Sequence, residues 1–126
     1  MRTRFLLIGH REESLSFQNL AGALADLGEL EILPEKEAMQ CVLQRRYDVV
    51  IVDAAAVKDE ALLVARVRAQ QPDTRIVVIT SSPTWRRARE VLQAGAMDYV
   101  SKSLSQSEFL GVFKDVLSRT PSPWPQ

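Results

Sequence analysis

Three short apolar runs in this 126-residue chain end on side chains that can handle a phosphoryl group. YDVVIVD ends on the carboxylate of Asp53, RIVVIT on the hydroxyl of Thr80, and YVSK on the ammonium of Lys102. A carboxylate can accept a phosphoryl group, and a hydroxyl and a lysine can bind its oxygens through charge-assisted hydrogen bonds. The three act together only if the runs lie side by side and point the same way.

The rest of the chain predicts that arrangement. Phe5–Ile8, Val49–Val52 and Arg75–Ile79 are short apolar or β-branched runs, the mark of strands buried on both faces. Leu30 and Ile32 alternate with Glu29 and Glu31, giving a half-exposed second strand, and Tyr99–Val100 gives a brief fifth. Between the strands, apolar residues recur at helical spacing. The first helix carries Phe17, Leu20, Leu24 and Leu27 and stops at Gly28. The second opens with Pro34 in its first turn and turns Ala38, Met39, Val42 and Leu43 inward, with Cys41 as a small buried hydrophobe on the same stripe. The third is capped by Asp59, carries Leu62, Leu63 and Val67 inward and ends at Pro72. The fourth takes Ser82 as N-cap and Pro83 as first residue, carries Ala88, Val91 and Leu92, and closes at Gly95. In the last, Ser105 and Glu108 form a capping box ahead of Phe109, Leu110, Phe113, Val116 and Leu117.

Strands alternating with helices predict an α/β fold: a doubly wound, five-stranded parallel sheet with five helices, flavodoxin-like, in strand order 2-1-3-4-5. Ligands of such sheets sit beyond the carboxyl ends of the strands. The first strand delivers Gly9, His10 and Arg11 there, the third Asp53, the fourth Thr80 and Ser81, and the fifth Ser101, Lys102 and Ser103. Residues 1–119 read as one domain, and TPSPWPQ, 120–126, as a proline-rich linker or tail that hints at a longer parent.

Composition narrows the function. Sixteen Lys and Arg balance sixteen Asp and Glu, so no net field drives the chain onto nucleic acid or anionic lipid. The single cysteine has no internal partner, which suits the reducing cytoplasm. MRTRFLLIGH is too short in apolar residues for a signal peptide or a membrane span. GHREES lacks the glycines of a phosphate-binding loop, which weakens the alternative of a nucleotide-binding α/β enzyme. The run Trp85-Arg86-Arg87-Ala88-Arg89 has one aromatic on one helical turn, so it reads as a solvated or partner-binding face, not a nucleic-acid patch.

The ordered set YDVVIVD, VVITS and AGAMDYVSK resembles the receiver domains of two-component response regulators, over almost all of residues 3–118. The resemblance implies a signalling domain, not an enzyme. It implies Asp53 as phosphoacceptor, Thr80 and Lys102 as its partners, and Thr80 and Tyr99 as switch residues. It implies a histidine kinase or phosphotransfer protein as phosphoryl donor, and an effector domain, target or second copy as output partner. The family's docking surface is its fourth helix, fifth strand and fifth helix, on which Arg86, Arg87, Arg89, Asp98, Tyr99, Lys114 and Asp115 would fall.

Two departures qualify these expectations. The family's first strand ends in two adjacent acids that hold Mg²⁺; here Gly9 and His10 stand in their place. The implied protein ligands shrink to the Asp53 carboxylate and the Ala55 backbone carbonyl, a poor set for a hard octahedral cation. Glu12 and Glu13 stand nearby; they have the reach to turn inward, but at the start of a helix the expectation is that they complement its positive end. Phosphorylation is therefore expected to be weakened or lost, leaving an Asp53–Lys102 bridge with no metal to screen it. The competing function is a constitutive interaction or dimerisation domain that never uses phosphate. The family also places a cis-proline after its lysine; this chain has Ser103, where a cis bond would cost roughly 3 kcal/mol, so a trans bond is expected.

Overall fold

A computed structural model describes residues 2–120; the proline-rich segment falls almost wholly outside the described residues. The strands are β1 (Thr3–Ile8), β2 (Gly28–Leu33), β3 (Val49–Asp53), β4 (Arg75–Thr80) and β5 (Asp98–Ser101). The helices are α1 (Leu15–Ala25), α2 (Glu35–Val42), α3 (Glu60–Gln70), α4 (Trp85–Ala94) and α5 (Gln106–Ser118), with one 3₁₀ turn at Ala54–Ala56. The strands form one parallel sheet in the order β2-β1-β3-β4-β5, the predicted topology.

The apolar runs are explained by the two layers that cover them. Successive strand side chains point to opposite faces. Leu6, Ile8, Val50, Val52, Ile76 and Val78 pack on one face under α2, α3 and α4. Phe5, Leu7, Val49, Ile51, Val77 and Ile79 pack on the other under α1 and α5. On that second face Phe5 and Phe113 meet edge to face, 6.1 Å between ring centres. The Ser105–Glu108 capping box is formed in both directions, and Gly95 ends α4 with a φ of 123° that favours glycine.

Several local expectations are corrected. Leu43 and Leu62 face solvent at 63% and 49% exposure, because the helix turns them past the edge of the buried stripe. Cys41 is half-buried, not enclosed. Pro34 is the N-cap of α2, not its first residue. Helix α4 starts later than predicted: Thr84 is its N-cap, accepting from the Arg87 N–H, while the Ser82 N–H is taken by the Thr80 hydroxyl oxygen at 3.1 Å. Gly28 does not stop α1, whose C-cap is Asp26; it begins β2 so close to β1 that an added Cβ would collide with the Thr3 carbonyl.

Tyr47, buried between α2 and β3, gives a pH test of this packing. Its hydroxyl donates to Glu31 at 2.5 Å. Burial, then the Glu31 hydrogen bond and charge, push its phenol from 10.0 up to about 12. The fold thus holds the neutral phenol, so this stability is complete below pH 10 and is lost as pH rises toward 12, on the order of 2 kcal/mol in all. Urea melts should show that alkaline loss in the wild type and a smaller one in Tyr47→Phe; equal losses in both would contradict it.

Candidate functional site

The carboxyl ends of β1, β3, β4 and β5 bring the three predicted side chains to one edge. Asp53 is the last residue of β3 and is 5% exposed. Its Oδ1 accepts from the Ala55 N–H at 3.0 Å, which starts the 3₁₀ turn, and its Oδ2 accepts from Lys102 Nζ at 2.9 Å. Lys102 follows β5 directly; its own N–H donates to the Thr80 carbonyl at 2.8 Å and so extends the ladder by one bond past Ser101. Thr80 is buried beside it at 7% exposure.

Glu12 was expected to serve a helix end. Instead α1 begins only at Leu15 with Ser14 as cap, and Glu12 Oε2 lies 3.6 Å from Lys102 Nζ. The lysine thus sits between two carboxylates. Burial alone would lower its pKa, but the hydrogen bond and charge of Asp53, with Glu12 behind them, outweigh burial and raise it above the ordinary lysine value. A raised lysine contributes its stability below its unfolded pKa and loses it only as pH climbs past the folded one, so the pair is intact at neutral pH.

The end of β1 carries glycine and histidine where an acidic pair would stand, and the Arg11 guanidinium that follows lies 5.6 Å over the Phe17 ring. Gly9 is buried, and a Cβ there would lie 3.2 Å from Asp53 Cβ and 3.7 Å from Asp53 Oδ2. His10 is exposed. The cavity against the pair, bounded by His10, Glu12, Phe17 and Phe109, measures about 10 Å³, on the order of one water. Among the described residues, no three His, Cys, Asp or Glu side chains converge as metal ligands. Mg²⁺ wants octahedral oxygen ligands and keeps several waters, so this donor set, with an ammonium seated on Asp53 Oδ2, does not fit it.

Every described peptide bond is trans, that before Ser103 included. The turn is held by hydrogen bonds in place of a proline: the Ser103 N–H donates to Ser101 Oγ at 3.1 Å, and the two hydroxyls share a bond of 2.7 Å.

The predicted docking residues separate into two groups. Arg86 and Arg89 are exposed on α4, and Tyr99 is half-buried with its hydroxyl accepting from the Thr84 N–H at 3.4 Å. Asp98 and Asp115 both face Arg119, at 4.0 and 3.4 Å, and Lys114 is exposed on α5. Arg87, 59% exposed at its side chain, reaches toward α3 and pairs with the buried Glu60 at 2.6 Å. Nothing local announces that pair, since its members are 27 residues apart. Trp85, 74% exposed at the start of α4, is the largest apolar side chain left uncovered there.

Comparison with known proteins agrees with the fold. The family model described as response regulator receiver domain matches residues 30–114, a span that holds Asp53, Thr80 and Lys102 but begins after Gly9 and His10. A candidate transcriptional regulator of Pseudomonas aeruginosa is 36% identical over 83 residues, covering 65% of this chain. The chain spans about 40% of that relative's length. A response regulator from Thermotoga maritima superposes with a TM-score of 0.80 at 23% identity, covering 94% of this chain and all of that one. The signal receiver domain of an HD-domain protein from Pseudomonas fluorescens gives a TM-score of 0.79 at 26% identity, over 93% of this chain and 88% of that one.

Proposed function

The chain belongs to the response regulator receiver domain family, and from that premise we propose that it is a receiver whose acceptor carboxylate is held by Lys102 rather than by a metal. The observation that carries this is the 2.9 Å contact between Lys102 Nζ and Asp53 Oδ2, with glycine where a metal-binding acid would stand. Asp53 is the inherited phosphoacceptor, with Thr80 and Lys102 placed to bind phosphoryl oxygens and Thr80 and Tyr99 as switch residues. Phosphoryl transfer relies on a cation to offset developing charge. Here the standing cation is Lys102, which already spends its charge on Asp53 and Glu12. Transfer from a histidine kinase or phosphotransfer protein is therefore weak or lost.

Output runs through protein contact at α4, β5 and α5, where Arg86, Arg89, Asp98, Tyr99, Lys114 and Asp115 offer charges of both signs around Trp85. The partner is an effector domain, a target protein or a second copy, and the setting is cytoplasmic. None of the described helices is long and apolar enough to cross a membrane. The transcriptional role suggested for the Pseudomonas aeruginosa relative makes an effector in the same polypeptide the first partner to seek. The competing reading is a constitutive docking or dimerisation domain that never uses phosphate, and the Lys102–Asp53 contact at 2.9 Å is compatible with it as well.

Adding Mg²⁺ to millimolar levels should leave the amide resonances of residues 9–12 and 53–55 nearly unmoved. Saturating shifts there would overturn the lysine-held site.

A further inference from the structure

We infer that the cleft at the amino-terminal edge of the sheet, opposite Asp53, binds a small polyanion whose recognised part is a polyphosphate group. The cleft opens where β1 and β4 begin, between the loops that join α2 to β3 and α3 to β4. Its volume is about 610 Å³, inside the range of roughly 300–1,000 Å³ typical of small-molecule sites.

Its charge is one-sided. Arg2, Arg4, Arg45, Arg46 and Arg75 line it, against Asp48 and Asp73. The whole chain carries no net charge, so this is a local concentration, and a cleft of one sign focuses its field on incoming counter-ions. Among the described residues only Arg45 of the five forms an ion pair, with Glu31 at 3.3 Å. Arg2 and Arg75 donate to neutral carbonyls, of Gly28 at 3.1 Å and Arg119 at 3.0 Å, and so keep their full charge. Arg4 lies 6.0 Å over the Tyr47 ring, and Arg46 is exposed. Asp48 also lines the cleft, and its Oδ2 accepts from the Arg4 N–H at 2.8 Å.

The floor is rigid. The buried Thr74 hydroxyl donates to the Tyr47 carbonyl at 3.0 Å, and the Gln71 amide donates to the carbonyls of Val42, at 2.5 Å, and Arg45. These bonds tie the two loops together, so the backbone that carries Arg45 and Arg46 is fixed against the segment leading into Arg75 before any ligand arrives. Guanidinium forks match phosphate oxygens two at a time, which lysines do not. Leu43 and Pro72 add an apolar wall that could lie against a nucleoside. The inference does not depend on phosphorylation of Asp53, which lies at the other end of β3.

The test is an amide NMR titration of the full chain with sodium pyrophosphate and, separately, with ATP, at fixed ionic strength and without divalent metal. Saturating shifts are expected at residues 2–4, 44–48 and 71–75, with a submillimolar Kd for at least one probe. Arg4→Gln/Arg46→Gln should weaken binding by about tenfold or more, and Arg86→Gln on the far surface should leave it unchanged. If the double variant does not fold, Arg46→Glu alone should show the same loss. Equal affinity for the two probes would mark the polyphosphate as sufficient, and tighter ATP would assign its nucleoside to the Leu43–Pro72 wall. Shifts that grow linearly and match those from sodium chloride would overturn the inference. So would saturation at residues 53, 80 and 102 instead. A single-stranded oligonucleotide that binds this edge while both probes fail would also overturn it, in favour of a nucleic-acid surface.

Discussion

Replacing Lys102 by methionine will lower the melting temperature by about 10 °C, and replacing Asp53 by asparagine in the same chain will restore most of the loss. Asp53 is 6% exposed at its side chain and has two partners, the Ala55 N–H and Lys102. Removing one member of a buried pair leaves an uncompensated charge, which costs about 3–5 kcal/mol when burial is complete. Lys102 is 17% exposed, so a value near or below the lower limit is expected, about 2–3 kcal/mol. For a domain of this size each kcal/mol moves the melting temperature by about 4 °C. The double variant removes both charges and leaves only a shape of similar volume, which is often close to neutral. Glu12→Gln should cost far less, since Glu12 is 42% exposed and 3.6 Å away. Thermal melts of the four proteins in the Asp53–Lys102 cycle give the coupling directly. A Lys102→Met protein as stable as the wild type would mean that the pair holds nothing.

Installing acids at the end of β1, as Gly9→Asp/His10→Asp, will make stability depend on Mg²⁺. Without metal, two new carboxylates crowd Asp53, and the one at position 9 starts with its Cβ 3.2 Å from Asp53 Cβ, tighter than an ordinary contact. Like charges at that range and the steric push both destabilise. With metal the three carboxylates become ligands for a hard cation. Binding to the folded state alone stabilises by about 2.7 kcal/mol at a hundred times Kd. The variant should therefore melt several degrees below the wild type in EDTA and recover about 10 °C in millimolar Mg²⁺. The wild type should shift by less than a degree under the same change. A variant indifferent to Mg²⁺ would mean that the missing acids are not what separates this site from a metal-binding one.

The sheet was legible because its strands are covered on both faces, so Val49–Val52 and Ile76–Ile79 had to be unbroken apolar runs. The edge was legible for a related reason: in a parallel sheet every strand delivers its last residue to one side, which brings Asp53, Thr80 and Lys102 together without knowledge of any contact. Helix detail was less so. Leu43 and Leu62 fit helical spacing as well as Val42 and Leu63 do, and only the position of the neighbouring helix decides which of each pair is covered. In SSPTW both Ser82 and Thr84 are good caps; the Thr84 hydroxyl is the one that accepts from the Arg87 N–H, while the Thr80 hydroxyl, two residues before Ser82, takes the Ser82 N–H. The pairs Glu12–Lys102 and Glu60–Arg87 join residues far apart in the chain and have no local pattern to betray them.

The most direct measurement is the intact mass of the protein after brief incubation with acetyl phosphate and Mg²⁺, beside an Asp53→Ala control, with beryllofluoride shifts followed by amide NMR on the same sample. The lysine-held site predicts at most a minor fraction carrying an added phosphoryl group and no saturating beryllofluoride shift at residues 53, 80 and 102. Near-complete addition of one phosphoryl group in the wild type, absent from Asp53→Ala, or saturating beryllofluoride shifts at those residues, would contradict it.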